Sequence, residues 1–195
     1  MKILTRWLLA CCILMPFAAG ATAPKDQNQK PDPKKTYNQE EVLKAAEDFF
    51  GTGAKGLATV IEKAFKEQGE PVAIIRGEDA GAAVGVGLRY GQGRLAFKGA
   101  EDGMRVYWQG PSLGFDFGAN GAKAFVLVYN LPSTDALFQR FPGVEGSLYF
   151  VGGFGLNYLQ KDKIILAPVR FGVGWRQGAS VGYMHFSRKK RYNPF

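Results

Sequence analysis

The stretch Ala83-Val84-Gly85-Val86-Gly87-Leu88-Arg89-Tyr90-Gly91-Gln92-Gly93-Arg94-Leu95-Ala96-Phe97-Lys98 decides the class of fold. Val84, Val86, Leu88 and Tyr90 alternate with glycine and arginine. A period of two belongs to a strand, not to a helix. Gly91-Gln92-Gly93 reads as a short turn into a second strand, which favours an antiparallel hairpin.

Working outward, the same alternation predicts further strands at Val72–Arg76, Met104–Gln109, Leu113–Phe117, Phe125–Tyr129, Ser147–Val151 and Gly155–Leu159, then at Ile164–Val169, Phe171–Arg176 and Ala179–Ser187. Ser133–Arg140 interrupts them with a small helical face of Leu137, Phe138 and Phe141. Phe125–Tyr129 and Ile164–Leu166 are apolar on both faces, as in a sheet covered twice. Gly85-Val86-Gly87-Leu88, Gly153-Phe154-Gly155-Leu156 and Gly172-Val173-Gly174-Trp175 each put two glycines on one strand face. Bare faces of this kind let a small barrel bend and pack, or line a cavity for an acyl chain or other elongated ligand.

Before Pro71 the period is helical. Asn38 followed by Glu41 is a capping-box start, and Val42, Ala45, Ala46, Phe49 and Phe50 recur at helical spacing up to Gly51. Leu57, Val60, Ile61, Ala64 and Phe65 form a second stripe, stopped by Gly69. Gly51-Thr52-Gly53-Ala54-Lys55-Gly56 fits a dinucleotide-binding pattern, but the strand that should precede it is missing. It is a turn between helices, and no nucleotide is expected. The fold is therefore α+β: N-terminal amphipathic helices packed on a curved, mainly antiparallel sheet or small soluble β-barrel.

At the N-terminus, Lys2 and Arg6 precede an apolar run of eleven residues, Trp7 to Phe17, and small residues ending at Ala23. This reads as a signal peptide cleaved after Ala23, since the run is about half the ~20 residues that a spanning helix needs. A lipoprotein reading, with an acylated Cys11, would leave only four apolar residues, Trp7 to Ala10, before the cut. Both cysteines, Cys11 and Cys12, fall in the removed part, so no disulfide is expected. Residues 24–36 lack the apolar content to fold and read as a flexible tether. Residues 37–195 form one domain, with the periplasm as its expected place.

Hydrophobic residues make up 46% of the chain and 26 residues are glycine, which excludes a disordered protein and disfavours an all-helical one. Residues 24–162 hold 16 Lys/Arg against 17 Asp/Glu, whereas residues 163–195 hold seven Lys/Arg and no acid. That excess culminates in Arg188-Lys189-Lys190-Arg191, beside Tyr192 and Phe195. In an exported protein such a run suits anionic envelope lipid or lipopolysaccharide, or an envelope protein, and not nucleic acid. A plain solvated basic tail is the other reading. Asp116, between Phe115 and Phe117, is either exposed on a sparse face or buried and paired, with Arg170, Arg176 or Arg105 as candidates; a ligand contact and an acid–base role are the other readings. Glu78-Asp79 and Glu101-Asp102 look like solvated turns. His185 is the only histidine, so no histidine- or thiolate-based metal site, cofactor or catalytic set can be assembled.

Several blocks carry a family resemblance: Gln109-Gly110-Pro111-Ser112, Gly114-Phe115-Asp116, Phe125 to Asn130, Val144-Glu145-Gly146-Ser147, Gly152-Gly153, Leu166-Ala167-Pro168-Val169-Arg170, and the closing Arg188-Lys189 and Asn193-Pro194-Phe195. Together they resemble the envelope integrity protein A (EipA) family over most of Val72 to Phe195. The resemblance implies a small periplasmic protein with a compact antiparallel, barrel-like fold and a role in envelope integrity, with no enzymatic activity and no site residues to carry over. The Gly-x-Gly strands around a short helix are also distantly similar to SYLF lipid-binding domains. The expected function is non-catalytic envelope maintenance through a lipid, glycolipid or protein partner. A small integral outer-membrane β-barrel is the alternative, although most strands are shorter than the ~9–11 residues a membrane strand needs. An envelope hydrolase is a third reading.

Overall fold

A computed structural model describes residues 30, 32, 35–51, 55–100, 103–114, 122–171 and 182–191. Helix α1 (Gln39–Phe50) opens on the capping box expected from the sequence. The Asn38 side chain accepts from the Glu41 N–H at 2.9 Å, and the Glu41 carboxylate accepts from the Asn38 N–H at 3.1 Å. Two of the orphan donors of the first turn are thereby satisfied. Gly51, at φ 105°, ends the helix in a conformation that side chains avoid. Helix α2 (Lys55–Gln68) follows and ends before Gly69, at φ 76°.

Among the described residues nine strands make one antiparallel sheet: β1 (Ala73–Phe97), β2 (Met104–Gly114), β3 (Ala122–Tyr129), β4 (Arg140–Pro142), β5 (Tyr149–Val151), β6 (Phe154–Leu156), β7 (Leu159–Lys161), β8 (Ile164–Phe171) and β9 (Tyr183–Ser187). Their order is β4-β9-β2-β1-β3-β8-β6-β5, with β7 paired beside β6 on β8. The expected turn at Gly91-Gln92-Gly93 is instead strand, paired with Trp108, Tyr107 and Val106. Straight, β1 would separate Gly77 from Gly93 by about 50 Å. A Cβ on Gly77 would in fact lie 2.7 Å from the Gly93 Cα, so β1 doubles back on itself. Its first arm pairs with β3 and its second with β2. The chain reverses between Gly81 and Leu88, further back than the glycine pattern suggested.

The sheet curls until its two ends meet. Gly143, just past β4, bridges Leu159 of β7, and the Val144 N–H donates to the Tyr158 carbonyl at 2.9 Å. Inside the curl pack Ile75, Leu95, Trp108, Val126, Phe141, Leu166 and Phe186, all buried. The alternate residues Ile74, Phe125, Leu127, Tyr129, Ala167 and Val169 point outward and are buried beneath Val42, Ala46, Leu57, Val60 and Ile61 of the helices. The double cover expected for Phe125–Tyr129 is thus a barrel-like interior on one side and two helices on the other. Ser133–Arg140 holds a single 3-10 turn (Thr134–Leu137) and then enters β4, a shorter helical element than the apolar spacing suggested.

Two glycine motifs acquire definite work here. Gly152 and Gly153, at φ 58° and 85°, form the two-residue turn of the β5–β6 hairpin, where both central positions are left-handed. Gly56 lies against that hairpin so closely that a Cβ would overlap the Val151 carbonyl. The Gly51 to Gly56 pattern is therefore a turn between helices plus a close helix–hairpin contact.

Candidate functional site

The interior carries one buried ionic group. Arg170, 2% exposed, donates through Nε to Asp79 Oδ2 at 2.9 Å and through Nη1 to Asn157 at 3.4 Å. Arg89 Nε stands 3.7 Å from the same Asp79 oxygen. Asp79, 4% exposed, is a strand residue inside the curl, which overturns its reading as part of a solvated turn. Two desolvated ions survive there only because each is paired and hydrogen-bonded. Arg170 was a candidate partner of Asp116 and is engaged by Asp79. Asp116 itself lies outside the described residues, as do residues 1–29, the Gly172 to Trp175 motif and Tyr192 to Phe195.

Three other glycines of β1, at positions 77, 91 and 93, face packed neighbours and enclose no ligand space. At Gly91 a Cβ would overlap the Trp108 indole, and at Gly77 it would meet the same ring at 2.7 Å and the Gln92 carbonyl more closely still. At Gly93 it would lie 2.6 Å from the Arg76 carbonyl oxygen. The glycines admit a tryptophan and a neighbouring strand, which is the packing use of a bare face.

The recess lies on the outside. Alternation turns Glu78 and Ala80, Tyr90 and Gln92, and Tyr107 and Gln109 to the outer face of β1 and β2. There they surround a half-open cavity of about 240 Å³. Tyr90 stands opposite Gln109, and Gln92 opposite Tyr107, so aromatic and amide groups alternate across the two strands. Beyond them the row continues with His185 beside Gln109 and Arg140 beside His185. The Arg140 guanidinium sits 4.9 Å from the centre of the Tyr183 ring. Burial, then Arg191 and Arg140, hold the His185 imidazole below its ordinary pKa of 6.5.

The basic run after β9 divides. Arg188 is committed to the fold: it pairs with Asp135 and stacks 4.7 Å from the Phe138 ring centre. The Ser187 hydroxyl donates to the Lys189 carbonyl at 2.8 Å and turns the chain. Lys189 is exposed, while Lys190 and Arg191 reach the rim of the cavity. Of the five expected site residues, the structure thus brings two to one place. The strand residues of the recess were missed, although the outward positions Tyr90, Gln92, Tyr107 and Gln109 carry their signal in the alternation itself. Among the described residues no three His, Cys, Asp or Glu side chains are grouped to hold a metal, and no helix is long and apolar enough to cross a membrane.

Fold and site together define a helix-backed, β-barrel-like protein with a tyrosine-lined recess on its open side, bordered by Lys190 and Arg191 and by the carboxylates of Glu78 and Asp79. The model of the envelope integrity protein A family matches residues 35–195, and the chain belongs to that family. Its role accordingly lies with the cell envelope. A crystal structure from Brucella abortus, described as that of a beta-barrel-like, uncharacterized protein, is 43% identical, with a TM-score of 0.73 over 82% of this chain and 99% of that one. No curated protein matches the chain.

Proposed function

We propose that this protein is an exported, non-catalytic periplasmic factor that maintains the envelope by binding an anionic headgroup of an envelope lipid or glycolipid. Residues 1–23 serve as its signal peptide, residues 24–36 as a tether and residues 37–195 as the binding domain. The observation that carries the reading is the placement of Lys190 and Arg191 at the rim of the recess. His185 has Gln109 and Arg140 as strand neighbours and no acid or nucleophile opposite it, which favours binding over hydrolysis. The outer face bears helices on one side and Tyr, Gln, Glu and cations on the other, unlike the apolar band of a membrane barrel.

Co-sedimentation with anionic vesicles or lipopolysaccharide tests this. Each surface cation contributes about 1 kcal/mol to such binding, so Lys190→Gln with Arg191→Gln weakens it by roughly 10- to 30-fold. Arg188→Gln has a smaller effect. Screening beyond ~8 Å at physiological salt makes the binding weaken as salt rises. Binding that ignores both the double substitution and salt would refute the proposal.

A further inference from the structure

We infer that a row of three arginines on the open outer face, Arg76, Arg94 and Arg105, is a docking surface for an anionic phospholipid bilayer. The inference rests on the envelope-lipid reading above and adds to the recess a second, separate contact.

The register puts the three side by side. Gly77 and Gly93 face each other across the doubled β1: a Cβ on Gly77 would lie 2.7 Å from the Gly93 Cα, and one on Gly93 would lie 3.1 Å from the Gly77 Cα. Further along the same two arms the Lys98 N–H donates to the Val72 carbonyl at 3.2 Å. Arg76 therefore stands opposite Arg94, and Arg94 is paired in register with Arg105 of β2. Their neighbours Ile75, Leu95 and Val106 fill the interior, so alternation turns all three arginines outward, where each is exposed. With strands about 4.8 Å apart, the row is roughly 10 Å long.

Like charges directly opposite one another weaken a sheet, so such a row is costly unless something relieves it. The neighbouring acids are engaged elsewhere. Glu78, the next outward residue after Arg76, stands opposite Lys123 of β3. Glu41 is taken by Lys98 and the Asn38 N–H, and Asp79 points inward to Arg170 and Arg89. Arg94 donates to the Gly103 carbonyl at 3.3 Å, but among the described residues none of the three arginines is in an ion pair. Glu101 and Asp102 lie outside the described residues. A carboxylate from either would make the row a set of salt bridges, and the melting readout below separates that case.

The shape of the surface selects the partner. The walls of the recess do not include these arginines, which lie on the plain face of the sheet beside it. With Lys190 and Arg191 at the recess rim, cations spread over a patch too wide for one phosphate and backed by no enclosing wall. A bilayer presents its phosphates side by side in a plane. Guanidinium groups match that chemistry, because they are weakly hydrated and bond phosphate through a planar fork.

Flotation of the purified protein with mixed phosphatidylcholine and phosphatidylglycerol vesicles tests the surface, using double variants of equal charge loss. These are Arg94→Gln with Arg105→Gln in the row, Lys190→Gln with Arg191→Gln at the recess, and Lys44→Gln with Lys66→Gln at exposed helix positions. The row variant should lose roughly 10- to 30-fold in vesicle binding and the helix variant less than about twofold. At low salt the row variant should also melt about 1–3 °C above wild type, because a repulsion has been removed. A lower melting temperature would assign the arginines to the fold and overturn the inference. Equal losses from the row and helix variants would reduce the effect to net charge and overturn it as well. A row variant that binds like wild type while the recess variant fails defeats this surface and leaves the recess reading standing. The reverse result supports the row and defeats the recess. Binding of soluble polyphosphate without vesicle binding by the wild type would make the partner a free polyanion and overturn the bilayer.

Discussion

The outer face of the sheet has two halves that treat the same period-two pattern in opposite ways. Over β3, β8 and β6 the outward residues are Phe125, Leu127, Tyr129, Val169 and Phe154, sealed beneath two helices. Over the second arm of β1, β2 and β9 they are Tyr90, Gln92, Tyr107 and His185, and among the described residues no helix covers them. The interior side of both halves is one continuous apolar core. A strand's inner face is thus dictated by the barrel, whereas its outer face records what lies over it. On the first half that is protein, and the residues are chosen for packing. On the second half the cover among the described residues is a short basic tail, and the residues are largely ones that tolerate water.

The comparison can be broken most sharply at Phe125, fully buried between the sheet and the Phe49 and Phe50 rings at 6.1 and 6.3 Å. Phe125→Ala should cost about 3–5 kcal/mol in urea unfolding, the cost of emptying a large aromatic site. Behind the open half, Gly91→Ala should cost about 1–3 kcal/mol. Its new methyl group must displace the Trp108 indole, which is held against Phe186 at 5.8 Å.

Acid should separate the halves by pH window. His185 is held below its ordinary pKa of 6.5, so between the two values the unfolded state binds more protons, and stability falls as pH drops below about 6.5. Glu67, on the covered half, has its carboxyl held below the ordinary 4.5 by hydrogen bonds from Lys63 and Tyr158. Its contribution is present above about pH 4.5 and is lost as pH falls through the lowered value. Melting temperatures from pH 8 down to about pH 3 should therefore fall in two steps. His185→Gln should remove the upper step, and Glu67→Gln should shrink the lower one, to which Glu41, held down by Lys98 and the Asn38 N–H, also contributes. The smallest effect belongs to Gln92→Ala, within about 0.5 kcal/mol in stability, because its side chain is exposed.

Much of this architecture is legible in the sequence. The Asn38 and Glu41 cap, both helical stripes and the double cover of Phe125–Tyr129 depend on neighbours within a few residues, and local pattern reports them. The first arm of β1 was not legible beyond Arg76, because its inward positions are Gly77 and Asp79, where an apolar residue would be expected. One is occupied by the Trp108 ring and the other is neutralised by Arg170, 91 positions away along the chain. No local period carries that information. The site was half legible for the same reason. Charge asymmetry marks the basic tail, but only the register of β1 against β2 and β9 shows which strand residues Lys190 and Arg191 meet.

The position of β9 governs when this molecule can become a folded one. It is the last strand among the described residues, yet it lies between β4 and β2 in the sheet and supplies Phe186 and Met184 to the interior. Its pairing of Ser187 with Tyr107 joins residues eighty positions apart. A chain emerging N-terminus first from a ribosome therefore carries a ring with one stave missing until β9 is free. Contacts of such long range form late and slowly. The seam is thus the part of the ring that closes last.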